Sequence, residues 1–145
     1  MENRYLYRAK RVDNGIWVEG FYFCMTHPDG RHTHHFIIPL GADLSLGTPI
    51  EKIQIEVDPS TICRCTGRTD RDKKLIYEHD IVAYLDTYRT ENGYTEADCV
   101  GEVVWDEETL SFQVTNRLSA ESWEVLDGEC KVLGNTFDNP ELLEV

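Results

Sequence analysis

Apolar and polar residues trade places over short distances along this chain, and no stretch keeps a helical repeat beyond a few turns. Ile53-Gln54-Ile55-Glu56-Val57 alternates strictly, which sets three aliphatics on one face of a half-buried strand. Ile81-Val82-Ala83-Tyr84-Leu85 is a continuous apolar run of the length a buried strand needs. Residues 101–105 and 110–115 alternate on either side of Asp106-Glu107-Glu108-Thr109, a four-residue hairpin loop, and residues 130–134 read as a closing strand. Toward the start, the aromatic and β-branched stretches 5–10 and 16–23 flank Asn14-Gly15, a pair suited to the positive φ angles of a tight turn. Pro28-Asp29-Gly30 makes a second turn and residues 32–40 return from it, so 5–40 reads as a β-meander.

The connecting pieces carry their own signals. Residues 41–48 form a connector with room for one helical turn, and Asp58-Pro59-Ser60-Thr61 is turn chemistry. Residues 62–66 predict a short strand with Cys63 and Cys65 on one face. The stretch 66–82 is a charged, turn-rich crossing that ends in the apolar strand. Residues 86–98 are polar with one glycine, a mobile loop or a long hairpin tip, and 121–126 stay open between helical turn and strand. Asn139-Pro140 predicts a short C-terminal helix, with asparagine as cap and proline at the first helical position. Many short strands without long helices give a mainly β protein. Its later strands match the number that a small barrel uses to remove its edges.

Composition then narrows the function. At 145 residues, 41% hydrophobic and 28% charged, the chain can bury a core without disulfide or metal, and it is not of the disordered class. Five cysteines without a Cys-x-x-Cys pair, and no apolar leader, predict reduced thiols in the cytoplasm. No apolar run approaches the roughly 18 residues of a membrane span, so no membrane partner is expected. The net charge of −13 is concentrated late: residues 76–145 hold three Lys/Arg against seventeen Asp/Glu. That half would repel phosphate, which argues against direct nucleic-acid binding and favours a basic protein or peptide. Glu102, Asp106, Glu107, Glu108, Glu121 and Glu124 are its candidate partner-binding carboxylates. Sheet edges in the N-terminal meander, with opposite charge in two regions, leave both a monomer and a homo-oligomer open.

Other clusters admit both a chemical and a purely structural use. His32 and His34 share a strand face, and His27 lies across the Pro28-Asp29-Gly30 turn. Three imidazoles so placed are a candidate metal site, against the simpler use of strand histidines facing water. Glu78-His79-Asp80 invites acid–base chemistry, but a turn in which Asp80 bonds its neighbouring backbone is the better reading. Cys63 and Cys65 are poorly set for a disulfide and read as small buried hydrophobes. Trp17, Trp105, Trp123, Tyr84 and Phe112 are core residues or, in part, the lining of a peptide groove. Arg64, Arg68, Arg71, Lys73 and Lys74 are a basic cluster set to pair with the acidic half. No Walker loop, dinucleotide glycine pattern, nucleophile elbow or zinc-protease helix is present.

Several short motifs occur in a fixed order: Arg8-Ala9, Trp17-Val18-Glu19-Gly20, Val57-Asp58-Pro59-Ser60-Thr61-Ile62, Thr66-Gly67, Ile76-Tyr77-Glu78-His79-Asp80-Ile81-Val82, Val132-Leu133-Gly134-Asn135 and Asn139-Pro140-Glu141-Leu142-Leu143. Together they resemble the YopX family of phage and prophage proteins across nearly the whole chain. The chain departs from that pattern where His79 and the pair Lys73-Lys74 stand at turn positions that the family fills with glycine. The resemblance implies a predominantly β protein with a small SH3-like barrel in its later part and no established activity; with the residue pattern, this divides the chain into an N-terminal β-meander over residues 1–60 and the barrel over 61–145. The expectation is a non-enzymatic protein without cofactor, in the cytoplasm of a bacterial host, that binds a host or phage protein through its acidic C-terminal surface. Its rivals are an acidic DNA mimic that occupies a host nucleic-acid-binding protein, and a metal-dependent enzyme built on His27, His32 and His34.

Overall fold

The computed structural model describes the chain except residues 1–2, 44, 46, 117–121 and 145, and except the side chains of residues 85–89 and 95–98. The described residues are mainly strand, with only 3₁₀ turns as helical elements, and hold no helix long and apolar enough to cross a membrane. Two compact units divide the chain, Met1–Cys65 and Thr66–Val145.

In the first unit, β1 (Tyr7–Lys10), β2 (Trp17–Thr26), β3 (Thr33–Pro39) and β4 (Ile55–Glu56) lie antiparallel in the order β4-β3-β2-β1. The start of β5 (Cys63–Thr69) pairs with the free side of β1 through Tyr7↔Arg64 and Arg8↔Cys63. The expected meander is therefore present. Ala9, Ile37 and Val57 are its buried centre, with Tyr7, Val18, Tyr22 and Ile62 packed around them. In the first loop only Gly15 takes a positive φ, +71°; Asn14 works through its side chain, which accepts the Ile16 N–H at 2.9 Å. Residues 53–57 form a shorter strand than their alternation predicts. The N–H groups of Ile53 and Gln54 are held by the Ile50 carbonyl, at 3.0 and 2.9 Å. Among the described residues, the helical turn near this point is Ile50–Lys52, past the 41–48 connector. Asp58 caps the 3₁₀ turn Pro59–Thr61 by accepting the Ser60 N–H at 3.0 Å.

The second unit holds the end of β5, then β6 (Leu75–Tyr77), β7 (Asp80–Thr90), β8 (Gly93–Asp106), β9 (Ser111–Thr115), β10 (Ser122–Glu124) and β11 (Cys130–Asn135). Its main sheet runs β10-β9-β8-β7-β11, so β10 and β11 are the two ends of a barrel-like ladder that stays open. The β5–β6 hairpin reaches the start of β11 by single bonds: Gly128 N–H to Thr69 O at 2.9 Å and Arg71 N–H to Cys130 O at 2.8 Å. Ile76, Val82, Tyr84, Val103, Val114, Val125 and Cys130 form one buried cluster, against which Phe112 and Trp123 pack. Residues 86–98 belong to the long β7–β8 hairpin, which turns between Thr90 and Gly93. At the C terminus, Pro140–Leu143 is a 3₁₀ turn with proline at its start. Asn139 does not cap it, because its side-chain oxygen accepts the Asn135 N–H at 3.3 Å instead.

Three residues other than glycine adopt positive φ: Lys73 at 65°, His79 at 67° and Leu110 at 52°. Lys73 follows a turn closed by Lys73 N–H to Asp70 O at 3.0 Å, the place where three-residue hairpin loops prefer glycine. Leu110 ends the β8–β9 loop, which runs over residues 107–110 and so sits one residue later than the sequence suggests. Two of the three, Lys73 and His79, lie where the family pattern carries glycine, and the left-handed backbone supplies the physical reason. A side chain there costs about 1–2 kcal/mol, partly offset by the unfolded-state entropy that glycine adds. Lys73→Gly and Leu110→Gly are each expected to raise stability by about 0.5–1 kcal/mol in urea titrations. An unchanged or lower midpoint for both would refute the strain account.

Candidate functional site

The second unit carries a cleft of about 200 Å³ lined by Tyr84, Val114, Trp123, Val125, Leu126 and Cys130, with Glu124 and Glu129 beside them. Strand register explains the lining. Trp123 pairs with Val114 across β10–β9, and Cys130 pairs with Tyr84 across β11–β7, so β10 brings one aromatic wall and β7, the neighbour of β11, brings the other. The Tyr84 and Trp123 rings meet at 4.8 Å between centroids, inclined by 46°. Tyr84 and Trp123 pack with the core cluster and also line the cleft. The other pair, Trp105 and Phe112, packs edge-on at 5.0 Å, while Trp17 in the first unit lies under the cationic ends of Arg8 and Lys10 at 4.9 and 5.4 Å.

Burial, with the Asp70 carboxylate next in weight, pushes Cys130 up to about 11, so it stays protonated at neutral pH. What the cleft offers is an apolar floor and carboxylate flanks. Glu124 and Glu129 are exposed, and among the described residues neither takes part in an ion pair.

The other predicted carboxylates divide by what they touch. Glu102 accepts from His79 Nδ1 at 2.9 Å and is three-quarters buried. Asp106 is the cap of its hairpin loop, accepting the Glu108 N–H at 2.9 Å and the Thr109 hydroxyl at 3.1 Å. Glu107 and Glu108 stand exposed on that loop. β10 runs toward the same end of the sheet, since Glu124 faces Gln113 and the Val125 N–H bonds to Phe112 O. Glu121 lies outside the described residues. Asp127 is held below the usual carboxylate range by the Thr69 N–H and then by Arg68, whose guanidinium lies 3.3 Å away. That pair is one place where the basic cluster meets the acidic half within the unit.

In the first unit the three histidines do gather. The His27 ring lies 6.0 Å from His32 and 5.1 Å from His34 between centroids. His32 Nδ1 is 3.0 Å from Asp29 and His34 Nδ1 is 2.8 Å from Glu56. Sequence spacing found the imidazoles but not Glu56, which arrives only through the Phe36↔Glu56 pairing of β3 and β4. Among the described residues, no group of three His, Cys, Asp or Glu side chains is placed to hold a metal ion.

Glu78-His79-Asp80 is a structural turn. Asp80 is fully buried and accepts the Tyr77 N–H at 2.8 Å, as its turn role requires. The backbone of His79 binds both sides of it, donating to Val103 O at 2.8 Å and accepting from Thr136 N–H at 2.9 Å. All five cysteines are free thiols, with Cys63 and Cys65 buried beside each other on β5 as small hydrophobes. One polar residue escaped sequence reasoning: Asp70, buried in the charged crossing, accepts the N–H groups of Asp72, Lys74 and Val132 at 2.9, 2.9 and 3.0 Å. Its Asp-x-x-x-Lys setting looks like any solvated turn, and only the arrival of β11 sets it apart.

No curated protein matches the chain. The family model described as YopX protein matches residues 6–144, nearly the whole length, and the motif order noted in the sequence falls within that match. On that coverage, the chain belongs to the YopX family.

Proposed function

We propose that this YopX-family chain is a non-enzymatic binding module, a phage or prophage accessory protein whose acidic second unit docks a basic protein. The observation that carries this reading is the set of exposed carboxylates toward one end of the β8–β9–β10 sheet: Glu107 and Glu108 stand on the β8–β9 loop, and Glu124 flanks an apolar cleft. Exposed carboxylates raise the encounter rate with a basic partner, and the apolar floor adds burial that charge alone does not give. DNA mimicry is less well supported, because Glu102 and Asp106 are occupied by His79 and by the hairpin loop. The metal-enzyme reading has three clustered imidazoles behind it but no group placed to hold an ion.

The immobilised chain is expected to retain basic proteins from a bacterial lysate. The triple change Glu107→Gln, Glu108→Gln and Glu124→Gln is expected to release most of them without altering the fold. Retention that the triple variant leaves intact would count against the proposal.

A further inference from the structure

The cleft between β10 and β11 has a shape and charge that select an occupant, and the following rests on the docking reading just given. We infer that it takes an extended peptide segment in which one large apolar side chain sits next to a lysine or arginine. A volume of about 200 Å³ is below that of ordinary cofactor and metabolite pockets, and suits one or two side chains. Trp123 and Tyr84 give the floor flat aromatic surface, and Val114 and Val125 complete it.

Charge fixes the neighbour of that apolar side chain. Glu124 leaves β10 on one side, Glu129 precedes β11 on the other, and no basic residue stands among the described residues of the lining. A cation placed beside the buried apolar group would meet carboxylates that take part in no ion pair among the described residues. The main chain of the occupant has a partner too. Among the described residues β10 pairs with β9 alone, so its outer edge is open to an added strand, the mode by which extended peptides bind sheet edges. An occupant there would lie in the gap that keeps the ladder from closing.

The test is an NMR titration of the full chain with two acetylated, amidated hexapeptides. One carries leucine next to arginine; its twin has glutamate in place of arginine. The indole N–H of Trp123, assigned through Trp123→Phe, is expected to shift with the arginine peptide together with the amides of Glu124, Val125, Leu126 and Glu129. The glutamate twin is expected to leave them in place. Glu124→Gln with Glu129→Gln, both exposed and fold-neutral, is expected to weaken binding about five- to tenfold. Equal shifts with both peptides, or shifts confined to other parts of the chain, would overturn the inference. So would a Trp123 shift that follows dilution of the protein alone, which would assign the cleft to a second copy. If the lysate proteins are released by the triple variant while Trp123 ignores the arginine peptide, this inference falls and the broader docking proposal stands.

Discussion

Asp70→Ala is expected to lower the stability of the Thr66–Val145 unit by about 2–4 kcal/mol, because three backbone N–H groups lose a charged acceptor at once. The Asp70 carboxylate closes the β5–β6 loop through Asp72 and Lys74 and fastens it to β11 through Val132. Asp70→Asn should be intermediate. The oxygen facing Asp72 and Lys74 can remain, but an amide –NH₂ then points at the Val132 N–H, donor against donor. Acid should mimic the substitution. Burial alone would raise the Asp70 pKa, yet the three backbone N–H bonds and the charge of Lys74 outweigh it and hold the group below the usual carboxylate value. A folded pKa below the unfolded one means that the stabilisation is fully present above the unfolded value. It is lost as pH falls through the folded value, below about pH 4. Urea titrations of wild type and Asp70→Ala should therefore differ strongly at pH 7 and converge in acid. A difference under about 1 kcal/mol at neutral pH would show that the loop holds without this carboxylate.

Gly20→Ala should be comparably damaging to the first unit. Gly20 sits inside β2 between Tyr7 of β1 and Pro39 of β3. Its φ is not in the left-handed region, so conformational freedom is not the issue. A Cβ there would lie 2.0 Å from the Ile38 carbonyl oxygen and 2.8 Å from Pro39 Cα. Both are backbone atoms, with no flexible side chain to give way, so β3 must move off β2. The expected cost is about 3 kcal/mol or more, the upper end of overpacking. Fluorescence of Trp17, three residues away in the same strand, should report the lower unfolding midpoint. A variant as stable as wild type would mean that β3 yields more easily than its full β2 pairing suggests.

These two residues show how differently the sequence speaks. Gly20 was visible as part of a motif, Trp17-Val18-Glu19-Gly20, but not why glycine was needed there. The reason lies in the Ile38 carbonyl, eighteen residues away along the chain. Asp70 was one carboxylate among several in a charged run and became distinct only when Val132 reached it. The turns were better announced. Asp58 and Pro59 state a capped 3₁₀ turn within two residues, and Asp80 needs only Tyr77, three positions before it, to do its work. The candidate cleft lay between these extremes. Tyr84 and Trp123 were readable as a core or a groove, and Glu124 as a docking carboxylate, but Glu129 and Cys130 joined them only through the β7–β11 pairing.

Local rules acting over a few residues determined the mainly β character of this chain, most of its turns, the meander and its membership of the YopX family. Alternation, turn chemistry and motif order all operate at that range. The tertiary structure alone decided that the later ladder stays open between β10 and β11, that His34 meets Glu56, and that carboxylates and aromatics share one cleft. Those outcomes depend on strand pairing between residues far apart in sequence, and a one-residue slip in register would have turned each side chain to the opposite face.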